Sequence, residues 1–362
     1  MVAAGGTIVA GRVIFAAATS SVQQQNLLGE AGNQAVTSGH VTIVGAKTIL
    51  LVGVDSRPGQ NPQDLVRSDS IIVAHITAAH DAAYLVSIPR DTWVQIPAYD
   101  NGKRRYAGGP NRINAAYAFG GDGLTGADAR THAVELLAKT IKAAYGVSFD
   151  AAAIVDFTGF QDVVNVLGGV DMYVDQETTS VHRGTTKDGK QKIPFRQYQN
   201  ADGSTRLVPV SGVTPQVYHV GYQHLEPWQA LDYVRQRETL PNSDYDRERH
   251  QQQFIKAIIK QATSRQVLTN PVKLAEVLSV IGKAMTVDRG GIALEDWVYA
   301  MRNISADGVV ALKTNNGTFH TARNGSEQLD PATLGLLAAV GSDTVQEYVT
   351  AHPELIIPAA QQ

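Results

Sequence analysis

The sequence contains no cysteine. Disulfides, thiolate zinc sites, iron–sulfur clusters and a thiol nucleophile are therefore excluded, and the compartment is left open. It has no surplus of charge either. Lys and Arg number 31 against 34 Asp and Glu, a net charge of −3, so no overall field draws in DNA or RNA and any basic site has to be local. No apolar run is long enough to cross a bilayer unaided. Val2 to Ala18 is apolar and rich in small residues, but it falls short of the ~20 residues of a span, carries Arg12, and lacks the positive n-region of a signal peptide. Two readings stay open for it: the tail of a transmembrane helix whose first part is absent, and a surface or unstructured lead-in. Repeats with a period of about 20 to 50 residues and low-complexity tracts are also missing, which removes solenoids and propellers. What is present is a 362-residue chain, 43% apolar and 18% charged, with ample material for a hydrophobic core.

Patterned sequence begins at Lys47-Thr-Ile-Leu-Leu-Val-Gly-Val54, an apolar run that predicts a strand covered on both faces and stops at Asp55. Asp69 to His75 and Ala83 to Ile88 read as two strands of a hairpin around the turn Thr77-Ala-Ala-His-Asp-Ala82. A turn centred between Ala79 and His80 sets Asp69 opposite Arg90 at one end of the sheet. If the first strand runs antiparallel to the second, Asp55 reaches the same edge, and two carboxylates and an arginine converge.

Further on, Asp128 to Ala144 predicts an amphipathic helix stopped by Gly146, followed by a strand near Ala152 to Val155. A second helix with Phe160, Val163, Val164 and Leu167 on one face closes at Gly168-Gly169 before a strand, Val170 to Val174. This alternation is that of an α/β protein. Residues 176 to 222 are polar and long for a connection, which predicts a hairpin-bearing insertion or a loop over a site. Pro227 opens a short helix that delivers Arg235-Gln236-Arg237, and Asp246 is placed to cap a helix running to about Ser264 with Phe254, Ile255, Ile258 and Ile259 inward.

Arg67, Arg90, Arg112, Arg235, Arg237 and Arg247 all fall at element ends or in loops. Arginine forks take phosphate bidentately, so several at one sheet edge would make an anion site; the alternative is scattered surface arginines paired with Asp64, Asp91 and Asp246. Arg247 and Gln251 are four apart and share a helix face, whereas Arg249 points elsewhere. Asp55 and Asp69 are hard-oxygen ligands suited to Mg²⁺ beside a diphosphate. Other signals are weaker. Gly121-Asp-Gly-Leu-Thr-Gly126 has the GxGxxG form but follows a helix, so it reads as a loop; the ten histidines contain no HExxH pair, and no nucleophile elbow or Walker motif occurs.

Taken in order over about residues 45 to 265, several segments match one pattern. They are Leu50-Leu-Val-Gly-Val-Asp-Ser-Arg57, Arg67-Ser-Asp69, Ser87-Ile-Pro-Arg-Asp91, Arg112-Ile-Asn-Ala-Ala-Tyr117, Val155-Asp-Phe-Thr-Gly-Phe-Gln161 with Leu167-Gly-Gly-Val170, Tyr233-Val-Arg-Gln-Arg237, and Asp244-Tyr-Asp-Arg-Glu-Arg-His-Gln-Gln-Gln253. The set resembles the LytR-CpsA-Psr family of cell-wall glycopolymer ligases. It departs from the family at His250, where arginine is frequent, and at Arg112, where lysine is.

The resemblance implies a three-layer α/β/α fold with a mixed central sheet and an apolar lipid-binding tunnel. The helices of Phe160, Val163, Val164 and Leu167 and of Phe254 and Ile258 are candidate tunnel walls, although core packing explains them equally well. Residues 1–40 would be the remnant of a membrane anchor with its juxtamembrane segment, 41–325 the catalytic domain and 326–362 a helical extension packed on it. The domain would sit on the extracytoplasmic face of the membrane. Asp55 and Asp69 would bind Mg²⁺, with Mn²⁺ possible, and Arg67, Arg90, Arg112, Arg235, Arg237, Arg247 and Gln251 the substrate pyrophosphate. The implied reaction is phosphotransfer of a glycopolymer from a polyprenyl pyrophosphate carrier to peptidoglycan, with Arg90, Asp91 and Asp69 catalytic and either Asp91 or Asp69 as base. Rival readings are a polyprenyl pyrophosphate pyrophosphatase and a non-catalytic lipid-phosphate-binding module. Nucleic-acid binding is disfavoured by the charge and by the want of a helix-turn-helix.

Overall fold

A mixed seven-stranded sheet organises the chain. Its strands are β1 (Gln23–Gln24), β2 (Lys47–Val54), β3 (Ser68–Ile76), β4 (Ala83–Ser87), β5 (Ala151–Asp156), β6 (Met285–Asp288) and β7 (Val309–Leu312), in the spatial order β1-β6-β5-β2-β3-β4-β7. The structure is a computed structural model, and it describes residues 23–33, 41–54, 66–200, 205–262, 264, 267, 270–322 and 325–358. Val2 to Ala18 and Asp55 lie outside the described residues.

β2 runs antiparallel to β3 and β3 antiparallel to β4, while β2 pairs in parallel with β5, and β4 with β7. The β3–β4 register has Ile76 opposite Ala83 and Ile72 opposite Ser87, as the turn chemistry predicts; His80, at φ 54, makes the turn. One irregularity matters. Gly53 pairs with Ser70 but Val54 with Ser68, so Asp69 is the extra residue of a β-bulge. A bulge breaks the two-residue alternation and re-aims the side chain it carries.

Helices cover both faces. The first side takes α1 (Asn114–Gly121), α2 (Gly126–Tyr145) and the later α8 (Pro331–Gly341) and α9 (Val345–Ala351). Leu50 and Val52 of β2, Val73 of β3, Leu136, Leu137 and Ile141 of α2, and Leu336 and Leu337 of α8 form one buried cluster there. Truncating any of these leucines to alanine would cost about 2–5 kcal/mol. Between these two sets of helices in chain order come α3 (Phe157–Leu167), α4 (Pro227–Tyr233), α5 (Asp244–Ala262), α6 (Pro271–Ala284) and α7 (Leu294–Ala300). On the opposite face of the sheet Ile72, Ala74 and Leu85 meet Ile255 and Ile259 of α5.

Local chemistry sets the ends. Gly146 adopts the left-handed conformation at φ 74 and closes α2 through its N–H to the Lys142 carbonyl, a turn a Cβ would strain. Asp156 caps α3 by accepting from the Gly159 N–H at 2.8 Å. The Gly121–Gly126 stretch joins α1 to α2. α5 starts three residues earlier than its sequence suggests: Asp246 lies inside the helix, fully buried, where it accepts from the Asn242 N–H at 2.9 Å. Thr178–Thr186 pairs with Gln191–Lys192 and Val213–Tyr218, Phe195–Gln199 pairs with Thr205–Pro209, and Gly221–Leu225 returns to pair with Val170–Val174. Phe160 of α3 and Phe254 of α5 stack at 4.1 Å, with Val164 wholly buried alongside, so these side chains fill a satellite core between helices. Among the described residues, no helix is long and apolar enough to cross a membrane.

Candidate functional site

The strand that carries Arg90 continues past β4, because the Ile88 N–H donates to the Ile71 carbonyl at 2.8 Å. That extension brings the guanidinium to the bulge. Arg90 Nη1 donates to Asp69 Oδ1 at 2.5 Å, and its Nη2 lies 3.4 Å from Asp244 Oδ2. Asp244 occupies the first turn of α5. One turn later Arg247 reaches back, with Nη2 at 2.5 Å from Asp244 Oδ1 and 3.1 Å from the Asp69 carbonyl. Arg237, from the loop after α4, places Nη1 3.7 Å from the same Asp244 oxygen and donates from Nε to Glu238 at 3.0 Å. Three guanidinium groups thus share one carboxylate.

Sequence reasoning missed Asp244 as a site residue. A signal existed: it opens the last matched segment and precedes Arg247 by three residues, an ion-pair spacing on a helix. Among the described residues, Nε of Arg90 and Nε of Arg247 are buried without a hydrogen-bond partner. An unsatisfied buried donor costs roughly 1–3 kcal/mol, more when charged, so an anion that accepts from them would be held strongly.

Burial disfavours the charge on Arg90, but Asp244, Asp69 and Asp91 outweigh it and hold the pKa above the ordinary arginine value. Arg247 is more deeply buried, and there burial wins over Asp244 and lowers the pKa. Behind the cluster burial pushes Glu248 up to about 8, opposed by Arg247 and reinforced by Asp244 and Glu327. Burial likewise takes Glu327 up to about 7, against the hydrogen bonds it accepts from Tyr245 and Asn315. Neither carboxyl is predicted by its spacing, because both depend on burial that only the fold creates.

Arg112 ends a hairpin strand, Gly109–Arg112, and puts Nη1 3.2 Å from Asp91 Oδ1, a half-exposed pair at the rim. Arg67 is exposed at the entry to β3, and Arg235 is half-buried two residues before Arg237. Gln251 donates to the Val234 carbonyl at 3.4 Å, tying α5 to the residue before Arg235. Between the two arginines Gln236 is fully buried, accepting from the Val181 N–H at 3.0 Å and donating to Asp232 Oδ1 at 2.9 Å. Arg249 faces away, as its spacing predicts, with Nε 2.6 Å from Asp175. His250 is wholly buried and stacks on Tyr233 at 4.2 Å, so it belongs to that core.

A cleft of about 800 Å³ opens on the same side as α1 and α2, lined by Val54, Val66, Tyr117, Ala133, Ile154 and Met285. Val54 pairs across from the bulge and Val66 lies three residues before it in sequence. For a metal, Asp69 is 37% exposed and follows Ser68, the pairing partner of Val54; Asp55, the other expected ligand, lies outside the described residues. Among the described residues, no group of three or more His, Cys, Asp or Glu could hold an ion. A Mg²⁺ that takes one or two carboxylates and completes its shell with phosphate and water is compatible with such a donor set.

Known proteins are similar to this chain. The chain is 29% identical to the polyisoprenyl-teichoic acid–peptidoglycan teichoic acid transferase TagU of Oceanobacillus iheyensis over 67% of its own length and 59% of the relative's. It is 24% identical to TagV of Bacillus subtilis, named for the same activity, over 85% of its length and 66% of the relative's. It therefore spans less than two thirds of these curated relatives. The crystal structure of Bacillus subtilis TagV superimposes with a TM-score of 0.51 at 21% identity, covering 84% of this chain and 99% of that one, a likeness of fold. Residues 13–331 match the LytR_cpsA_psr family, and the chain belongs to it.

Proposed function

We propose that this protein is a phosphotransferase that moves a glycopolymer from a polyprenyl pyrophosphate carrier to a peptidoglycan hydroxyl and releases polyprenyl phosphate. The observation that carries the reading is the bridging of Arg90, Arg237 and Arg247 by Asp244, with two buried guanidinium N–H groups left to donate to an anion. The names of the relatives supply the classes of donor and acceptor.

In the reaction the acceptor oxygen attacks the sugar-linked phosphorus, and the bond from that phosphorus to the bridging oxygen breaks. Negative charge then grows on the departing polyprenyl phosphate. Arg90, Arg237 and Arg247, with Arg67, Arg112, Arg235 and Gln251 around them, stabilise it from positions fixed before reaction. The hydroxyl proton goes to a carboxylate. Asp91 is the better candidate base, because Asp69 is held by Arg90 at 2.5 Å while Asp91 is paired with the half-exposed Arg112 at 3.2 Å. Asp55 and Asp69 would hold Mg²⁺, or Mn²⁺, which when bound offsets diphosphate charge.

The apolar tunnel is assigned to the 800 Å³ cleft rather than to the packed Phe160 and Phe254 faces. Residues 41–325 are taken as the catalytic unit and 326–362 as an extension, held by Leu336, Val340 and Val349 in the main core. The domain is placed on the extracytoplasmic face of the membrane, with its anchor before residue 41.

The test is transfer from a polyprenyl pyrophosphate-linked glycan with and without a peptidoglycan acceptor. Arg90→Ala and Asp69→Ala should each lower turnover about 10²–10³-fold with circular dichroism unchanged, the loss typical of one preorganised transition-state group. Full turnover in both variants would overturn the mechanism. Product formed equally well without acceptor would mean hydrolysis, and tight binding with no product would mean a binding module.

A further inference from the structure

A cavity of about 360 Å³ adjoins the arginine cluster, lined by Arg90, Asp91, Asn242, Asp244, Phe319 and Glu327. We propose that it is the acceptor subsite, taking a neutral saccharide ring that carries the attacking hydroxyl, with Phe319 as the stacking face. The inference rests on the transferase reading and adds where the acceptor binds.

Polar groups set what this cavity can hold. Asp91, Asp244 and Glu327 present carboxyl oxygens beside Arg90, and such oxygens offer acceptors to the hydroxyls of an uncharged polyol. Phe319 is 51% exposed, a large apolar surface left in water at the wall of a polar cavity. The C–H face of a pyranose covers such a ring while its hydroxyls reach the polar wall, the division of labour seen where an apolar body and polar groups meet in one pocket.

The cavity is also held in shape. Glu327 accepts a hydrogen bond from the Tyr245 hydroxyl, its N–H donates to the Asp91 carbonyl at 3.4 Å, and its carbonyl accepts from the Trp93 N–H at 2.9 Å. Arg90 and Asp244 belong to both the cavity and the guanidinium cluster, so a hydroxyl bound here lies next to the phosphate held there. The volume is near the lower end of the roughly 300–1,000 Å³ of ligand cavities, which suits one or two sugar rings rather than a polymer segment.

The experiment uses an N-acetylglucosamine tetrasaccharide as a neutral acceptor probe. Saturation-transfer NMR follows its binding to the full chain with and without a prenyl pyrophosphate, and initial rates follow transfer as the acceptor concentration is varied. Phe319→Ala should raise the acceptor KM about three- to tenfold, the size of one aromatic contact, with the donor KM unmoved. Asn242→Ala should raise it less. An acceptor KM unchanged by Phe319→Ala, or a tetrasaccharide displaced by prenyl pyrophosphate, would overturn the assignment. If the wild-type chain binds the sugar through Phe319 but transfers nothing, the transferase reading fails and the saccharide subsite stands.

Discussion

Asp69 and Arg90 were legible from residue counting, because a hairpin turn between Ala79 and His80 leaves only one register and that register pairs them. Asp244, Glu248 and Glu327 were not, since nothing in a linear sequence says that residues 244 and 327 will be buried beside residue 90. Glu248 makes the difference measurable. Its pKa of about 8 in the folded chain lies above the ordinary glutamate value of 4.5, so the fold binds its proton more tightly than the unfolded chain does. Its contribution to stability is complete below about pH 4.5 and is lost as pH rises through about 8, at a slope of up to roughly 1.4 kcal/mol per pH unit. Arg247 and Asp244 on its own helix, Arg90 after β4 and Glu327 are the charges that face it. Urea unfolding at pH 5, 6.5 and 8 should show falling stability, and Glu248→Gln should flatten much of that slope. Glu327, raised to about 7, should leave a smaller residual decline with the same sign.

The strands and helices themselves were readable wherever periodicity and a stop signal coincided. α2 with Gly146 and the Val170–Val174 strand fall where the sequence puts them. Two features escaped. The bulge at Asp69 is a local slip in pairing that no apolar pattern encodes, and the start of α5 was displaced because Asp246, a good capping residue, is instead buried under Arg249. The loop after α4 shows how an element presents a site. Gln236 carries no phosphate itself, yet its amide is buried among Val181, Ser180 and Asp232 and fixes the two arginines on either side. Gln236→Leu keeps the volume but strands these partners, so it should cost about 1–3 kcal/mol of stability by denaturant unfolding. Donor affinity should fall as well, because Arg235 and Arg237 lose their anchor. Unchanged donor binding in a folded Gln236→Leu protein would show that the loop holds its shape without the amide.

The fold class was evident from alternating strands and helices, but the site was harder to read because its members come from segments nearly two hundred residues apart. With a net charge of −3, the chain has no long-range attraction for an anion, so in the proposed reaction capture of the donor would depend on the arginine cluster and on any divalent ion beside it. Chelation of divalent ions should abolish transfer and added Mg²⁺ should restore it, with Asp69→Asn shifting the Mg²⁺ requirement upward; transfer that survives chelation would remove the metal from the scheme. The ordering of the sheet has a consequence for how the chain acquires its shape. β1, from residues 23–24, pairs with β6 at 285–288, and β4 acquires its outer neighbour only from 309–312. Neither margin can be completed until most of the polypeptide is available. Such non-local pairing is slow, on the order of milliseconds to seconds even in small domains, and leaves unpaired strand margins open to self-association during that interval.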